Sequence, residues 1–217
     1  MTKIQSLLIP SVEGHLEARL EWDPQRPPKL AAVVCHPHPL YGGTMHNKVV
    51  FRAAKAALQA GLPTLRFNFR GVGRSSGSFS EGVGEGEDVT AALDYLSARF
   101  PAVPVCLIGF SFGASVGLRV GANDPRVVAL VGLGVPVASM NMDYLRGVLK
   151  PKLIIQGTQD VFAPRDQVEQ FFLSLAEPKQ IHWVQGADHF FTGKLEEVQR
   201  AIRGYLTSEV VVKGSRQ

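Results

Sequence analysis

The sequence is poor in cysteine, in long apolar runs and in charge of one sign. Cys35 and Cys106 are its only cysteines. Two are too few for a disulfide framework, and neither stands at a metal-binding spacing. Each lies inside an apolar, strand-like run, Ala31–Cys35 and Val105–Ile108. Both are therefore expected as reduced, buried, small hydrophobic side chains. No apolar stretch is long enough to cross a bilayer. The opening residues, Met1-Thr2-Lys3-Ile4-Gln5-Ser6, lack the apolar core of a secretory signal, so a cytoplasmic location is expected. Lysine and arginine number 23 against 19 acidic residues, a formal charge of +4, and they are scattered rather than massed. That distribution argues against a nucleic-acid or membrane partner. No repeat, linker or shift of composition divides the 217 residues, a length that suits one domain with a full core.

What is present is an alternation of elements. Two strand-like segments, Ile4–Ile9 and His15–Trp22, flank a turn at Glu13-Gly14. Buried strands are then expected at Leu30–Cys35, Thr64–Phe69, Val105–Ile108, Val127–Leu133, Leu153–Gln156 and Ile181–Val184. Helices fall between them, at Asn47–Ala60, Glu87–Phe100, from Phe112, at Arg165–Leu175 and at Glu196–Leu206. Gly71–Gly86 reads as a glycine- and serine-rich loop, and the 209–217 tail is expected to fray. Apolar strands separated by helices imply a mostly parallel sheet of about eight strands, covered on both faces.

One stretch carries chemistry. Val105–Ile108 runs straight into Gly109-Phe110-Ser111-Phe112-Gly113, and a small-residue helix follows. A Gly-x-Ser-x-Gly turn between strand and helix is the setting of a nucleophile elbow. Gly113, Gly117 and Gly121 recur every four residues, so that helix can press close to the sheet. A second match, Gly73-Arg74-Ser75-Ser76-Gly77, is followed by more glycine and serine and opens no helix. Ser75 is therefore read as a turn residue and Ser111 as the nucleophile.

A serine hydroxyl needs a base within hydrogen-bond reach. Only His182 and His189 follow Ser111 in the chain. His182 sits inside a strand, whereas His189 lies in the loop beyond it, where an imidazole can reach the elbow. His189 is the expected base. The expected acid is Asp160, in the loop after Leu153–Gln156, with Asp143 as runner-up. Asp188 and Asp124 read as turn-shaping. An oxyanion requires preorganised N–H donors. Phe112, at the helix start, supplies one. The second comes from His36-Pro37-His38-Pro39-Leu40, where the prolines have no N–H, leaving His38 or Leu40. A metal on the His-x-His pair with His46 lacks a carboxylate at suitable spacing, so no metal and no cofactor is expected.

Ser111, Asp160 and His189 in this order resemble the triad of the α/β-hydrolase superfamily. The stretch His36–Lys48 (His-Pro-His-Pro-Leu-Tyr-Gly-Gly and beyond), Asn68–Ser75 and Gly84–Asp88 resemble a small lidless bacterial branch of predicted hydrolases. The likeness spans roughly residues 30 to 195 and implies an α/β-hydrolase fold. In size the branch is similar to esterases and to dienelactone-type hydrolases, whose elbow holds cysteine where this chain has Ser111. Many relatives insert a cap domain where this chain has only Gly134–Lys150, so an open cleft for small or short-chain esters is expected. Tyr41, Phe110, Phe112, Met140, Met142 and Phe190 are candidates to line it. Arg70 and Arg74 either fix loops or attract an acidic substrate. A small-molecule ester is the expected partner. An amidase, peptidase or thioesterase using the same triad stays open, as does a binding protein with a vestigial one, and the oligomeric state is not readable.

Overall fold

The computed structural model describes residues 1–208 and Val211. The expectation for the 209–217 tail falls outside the described residues, Val211 apart. Eight strands form one sheet: β1 (Lys3–Ser11), β2 (Gly14–Trp22), β3 (Ala31–Cys35), β4 (Thr64–Phe67), β5 (Val105–Phe110), β6 (Val127–Leu133), β7 (Lys152–Gly157) and β8 (Lys179–Val184). Their order is β1-β2-β4-β3-β5-β6-β7-β8. The β1–β2 hairpin is antiparallel, and β2 joins β4 antiparallel. From β4 through β3 to β8 every pairing is parallel. This is the α/β-hydrolase arrangement the sequence led us to expect, and among the described residues it carries no cap domain. The connection from β6 to β7 contains only a single 3₁₀ turn, Asp143–Leu145.

The sheet forms because its central strands can be buried on both faces. Every residue of β3, β4, β5 and β7 is buried, as parallel strands between two helix layers must be. Helices α1 (Lys48–Gln59) and α5 (Leu195–Leu206) cover one face. Helices α2 (Gly84–Arg99), α3 (Phe112–Asn123) and α4 (Arg165–Ser174) cover the other. Asn47 caps α1, its side chain accepting from the Val49 N–H at 2.9 Å. The two cysteines are free and buried. They belong to opposite faces, Cys35 toward α3 and Cys106 toward α1 and α5. Burial raises both thiols well above the ordinary range, so neither is a ready nucleophile.

Helix α3 sits against β3, β5 and β6 because its glycine face is bare. A Cβ at Gly113 would strike the backbone carbonyls of His36 and Cys35; at Gly117 it would lie 2.8 Å from Leu107 Cδ2, and at Gly121 2.8 Å from Leu130 Cδ2. The close seat fixes the start of α3 at the carboxyl ends of the parallel strands, where open α/β sheets bind ligands.

Candidate active site

The turn from β5 to α3 is a single residue, Ser111, held at φ 54° and ψ −121°. Such a backbone costs a non-glycine residue about 1–3 kcal/mol and persists only when its surroundings fix it. They do so here. The Ser111 N–H donates to Leu133 O at 2.9 Å, and the Ser111 carbonyl accepts from the Ala114 and Ser115 N–H groups at 2.8 and 3.1 Å. Gly109 is obligatory beneath it, since a Cβ there would meet Ala114 Cα at 2.5 Å.

Three distant side chains converge at this turn. His189, in the loop after β8, places Nε2 3.0 Å from Ser111 Oγ. Its Nδ1 lies 2.7 Å from Asp160 Oδ2, in the loop after β7. Asp160 Oδ2 also accepts from Gln156 Nε2 at 2.6 Å, while Oδ1 accepts from the N–H groups of Phe162 and Ala163 at 2.9 and 3.2 Å. Two carboxylate oxygens surrounded by donors fix the imidazole tautomer: Nδ1 carries the proton and Nε2 presents its lone pair to the serine hydroxyl. The Asp160 side chain is wholly inaccessible and the His189 side chain nearly so. In such a dry setting these polar contacts act with little screening.

Gln156 was not legible as a site residue. On β7, its amide spans the gap between Asp160 and the Val135 N–H, which donates to Gln156 Oε1 at 2.9 Å. A lone glutamine closing an apolar strand is the only trace in the sequence. Phe110 is corrected: it is fully buried, and its ring supports the His189 imidazole from beneath at 5.1 Å rather than lining the cleft. Met142 is also buried and stands off the cleft wall.

The two candidates for the second oxyanion donor are distinguished by their partners. The Leu40 N–H donates to His38 Nδ1 at 3.2 Å. The N–H groups of His38 and Phe112 have no partner among the described residues. His36 holds this loop down. It is fully buried, its Nδ1–H donates to Pro37 O at 2.6 Å, and its Nε2 accepts from the Phe69 N–H at 3.0 Å. Because Pro37 O can only accept and the amide can only donate, the ring is neutral. Burial accordingly lowers its pKa to about 4, the bond to Pro37 offsetting only part of that fall.

The other sequence candidates lie elsewhere. Asp143 is exposed and pairs with Arg146 at 2.9 Å. Asp188 receives the Thr192 N–H and hydroxyl at 2.9 and 2.8 Å, and Asp124 pairs with Arg126 at 2.6 Å. His182 meets Glu197 at 3.1 Å on the outer part of the sheet. Ser75 Oγ accepts from the Glu17 N–H at 2.9 Å and donates to Asn68 O at 2.7 Å, tying a turn to β2. Arg70 is buried against Asp88, with Glu13 and Glu87 completing the pairing at about 3 Å. Neither Arg70 nor Arg74 lines the cleft.

Ser111 and His189 open onto a cleft of about 710 Å³. One wall, from the loop after β3, carries His38 and Tyr41, with Phe112 and Phe79 packed against the His38 ring at 4.9 Å. The facing wall carries Phe162 and Phe190, whose rings stand 4.9 and 5.3 Å from the imidazole. Met140 and Ser139 close one end. Phe79 and Phe162 were not foreseen: Phe162 is aimed by its N–H bond to Asp160 Oδ1 and Phe79 by its ring contacts with His38 and Phe112, neither of which leaves a periodic pattern.

A family model described as an alpha/beta hydrolase domain matches residues 34–202. An uncharacterised protein of Rickettsia prowazekii is 38% identical over 204 residues, covering 89% of this chain and 85% of its own length. An alpha-beta serine hydrolase homologue from Coxiella burnetii has a solved structure that is 39% identical, with a TM-score of 0.88 over 94% of this chain and 97% of that one. A serine hydrolase without lid from Xanthomonas campestris is 32% identical, with a TM-score of 0.86 over 94% of each chain.

Proposed function

The chain belongs to the alpha/beta hydrolase family, and from that premise we propose that it is a serine esterase acting on small or short-chain carboxylic esters. The observation that carries this reading is the continuous chain from Ser111 Oγ to His189 Nε2 at 3.0 Å and from His189 Nδ1 to Asp160 at 2.7 Å. Ser111 attacks the ester carbonyl as His189 Nε2 takes its proton. Asp160 holds the imidazole and stabilises the imidazolium that forms. The N–H groups of Phe112 and His38 receive the oxyanion, the first aided by the amino end of α3. His189 then gives its proton to the leaving alcohol, producing an acyl-enzyme on Ser111. Water enters, His189 removes its proton, and the second tetrahedral intermediate expels the serine to release the acid. No cofactor takes part in these steps.

The absence of a cap domain supports short acyl groups. An open cleft gives a long chain little apolar surface to bury, so additional CH₂ groups add little transition-state binding. A series of p-nitrophenyl esters from acetate to palmitate tests this. The highest kcat/KM is expected at the short acyl chains, and a preference for palmitate contradicts the reading.

A further inference from the structure

The chain carries 23 lysines and arginines and a net charge of +4, yet none of them lines the cleft among the described residues. Among the described residues, the only ionisable acid or base on its wall besides the two histidines and Tyr41 is Glu81. The position of Glu81 is built rather than incidental. Its φ is +52°, a conformation disfavoured for any residue but glycine. Glu85, fully buried, clamps the amides on either side: Oε1 accepts from the Ser80 N–H at 2.8 Å and Oε2 from the Gly82 N–H at 2.7 Å. The Val83 N–H closes the turn on Ser80 O at 2.9 Å. Gly82 seats it on α3, where a Cβ would lie 3.2 Å from Val116 Cγ2. The Glu81 side chain itself is exposed and has no hydrogen-bond partner among the described residues.

Glu81 shares the cleft with a basin of rings. The His38 imidazole lies 4.6 Å from the Tyr41 ring and 4.9 Å from those of Phe79 and Phe112. Its Nδ1 accepts from Leu40, so the neutral ring carries its proton on Nε2; burial lowers its pKa against the pull of Glu85, which keeps it from acting as a second cation. Electron-rich ring faces beside a carboxylate are what stabilises an organic ammonium group. The same wall repels carboxylates and phosphates. Reaction geometry says which part of the ester faces it. The leaving oxygen must reach His189 Nε2, and the carbonyl oxygen must reach the Phe112 and His38 N–H groups. The acyl chain, the remaining substituent on the reacting carbon, then extends along the cleft, whose lining includes Phe79 and Glu81.

We propose that the acyl portion of the substrate carries a cationic ammonium group, held by Glu81 and the rings of His38, Tyr41 and Phe79. This rests on the esterase reading and adds to it the charge of the substrate. Three p-nitrophenyl esters of matched length test it: 4-(trimethylammonio)butanoate, its neutral isostere 5,5-dimethylhexanoate, and the anionic hemiglutarate. At low salt the expected order of kcat/KM is cationic, neutral, anionic, with the cation favoured over the neutral isostere by about tenfold. Glu81→Gln is expected to lower that ratio by about three- to tenfold, and about 0.5 M salt to shrink it in the wild type. A neutral ester turned over as well as the cationic one, with a ratio indifferent to Glu81→Gln and to salt, overturns the proposal and leaves the esterase reading standing. Inertness of all three beside active p-nitrophenyl acetate also overturns it. Inertness of the acetate as well removes the esterase reading, and this proposal with it.

Discussion

Acid should destabilise this protein through one buried histidine that touches no substrate. His36 is neutral in the folded chain, with a pKa of about 4 against 6.5 for an ordinary histidine. Protonation would set an Nε2–H against the Phe69 N–H, two donors face to face at a fully buried ring. Between pH 6.5 and about 4 the unfolded chain therefore binds the proton and the folded chain does not, so stability falls as pH falls. The contribution is fully present above pH 6.5. At about 1.4 kcal/mol per pH unit, the loss reaches about 3 kcal/mol by pH 4, or a fall in Tm of about 6–12 °C for a chain of this size. Carboxylates titrate in the same window, so the readout is a difference between proteins. In His36→Gln the side-chain carbonyl can still accept from Phe69, but nothing titrates and the bond to Pro37 is lost. At pH 7.5 the variant should be less stable by about 1 kcal/mol. Urea unfolding repeated down to pH 4 should show that gap closing and reversing as the wild type loses its additional 3 kcal/mol, roughly. Parallel stability curves for the two proteins across that range would refute the reasoning.

Two further substitutions separate the roles of residues that look alike in sequence. Gln156→Leu leaves Asp160 short of one donor and orphans the buried Val135 N–H. It should cost about 3 kcal/mol of stability in a thermal or urea melt, and kcat should fall about ten- to hundredfold as the imidazole loses its alignment. Ser75→Ala removes the hydrogen bonds to Glu17 and Asn68. It should lower stability by about 1–2 kcal/mol while ester hydrolysis by the folded protein continues at its wild-type rate. Loss of hydrolysis at full stability would mean that the wrong Gly-x-Ser-x-Gly serine has been assigned.

Much of the scaffold was legible because burial writes itself into sequence. Fully buried β3 and β5 read as unbroken apolar runs, and the four-residue glycine spacing of α3 marked a helix pressed onto the sheet. The edges were less legible. β1 runs on through Pro10 to Ser11 because an edge strand tolerates a proline that lacks a ladder donor. β8 begins at Lys179, two residues before its apolar stretch, since backbone pairing with Lys152 and Leu153 does not require apolar side chains. Helix α2 begins at Gly84 inside what reads as loop, its start tied to the Ser80–Val83 turn by the buried Glu85 carboxylate. In the site, Ser111, Asp160 and His189 each follow a strand, so order along the chain was enough to pair them. Phe162 and Glu81 are set by hydrogen bonds in their loops, and Gln156 by bonds from β7 to the loop residues Asp160 and Val135, none of which leaves a periodic trace. The bond from the Leu40 N–H to His38 Nδ1, which leaves the His38 N–H free among the described residues, is one that only the folded loop reveals.

The central claim, that Ser111 is made nucleophilic by His189, is tested most directly by intact-protein mass spectrometry after treatment with a fluorophosphonate. The expected result is one adduct per chain, mapped to Ser111, absent from Ser111→Ala and formed about a thousandfold or more slowly in His189→Ala. An adduct on another residue, or labelling of Ser111 at the same rate without His189, contradicts it.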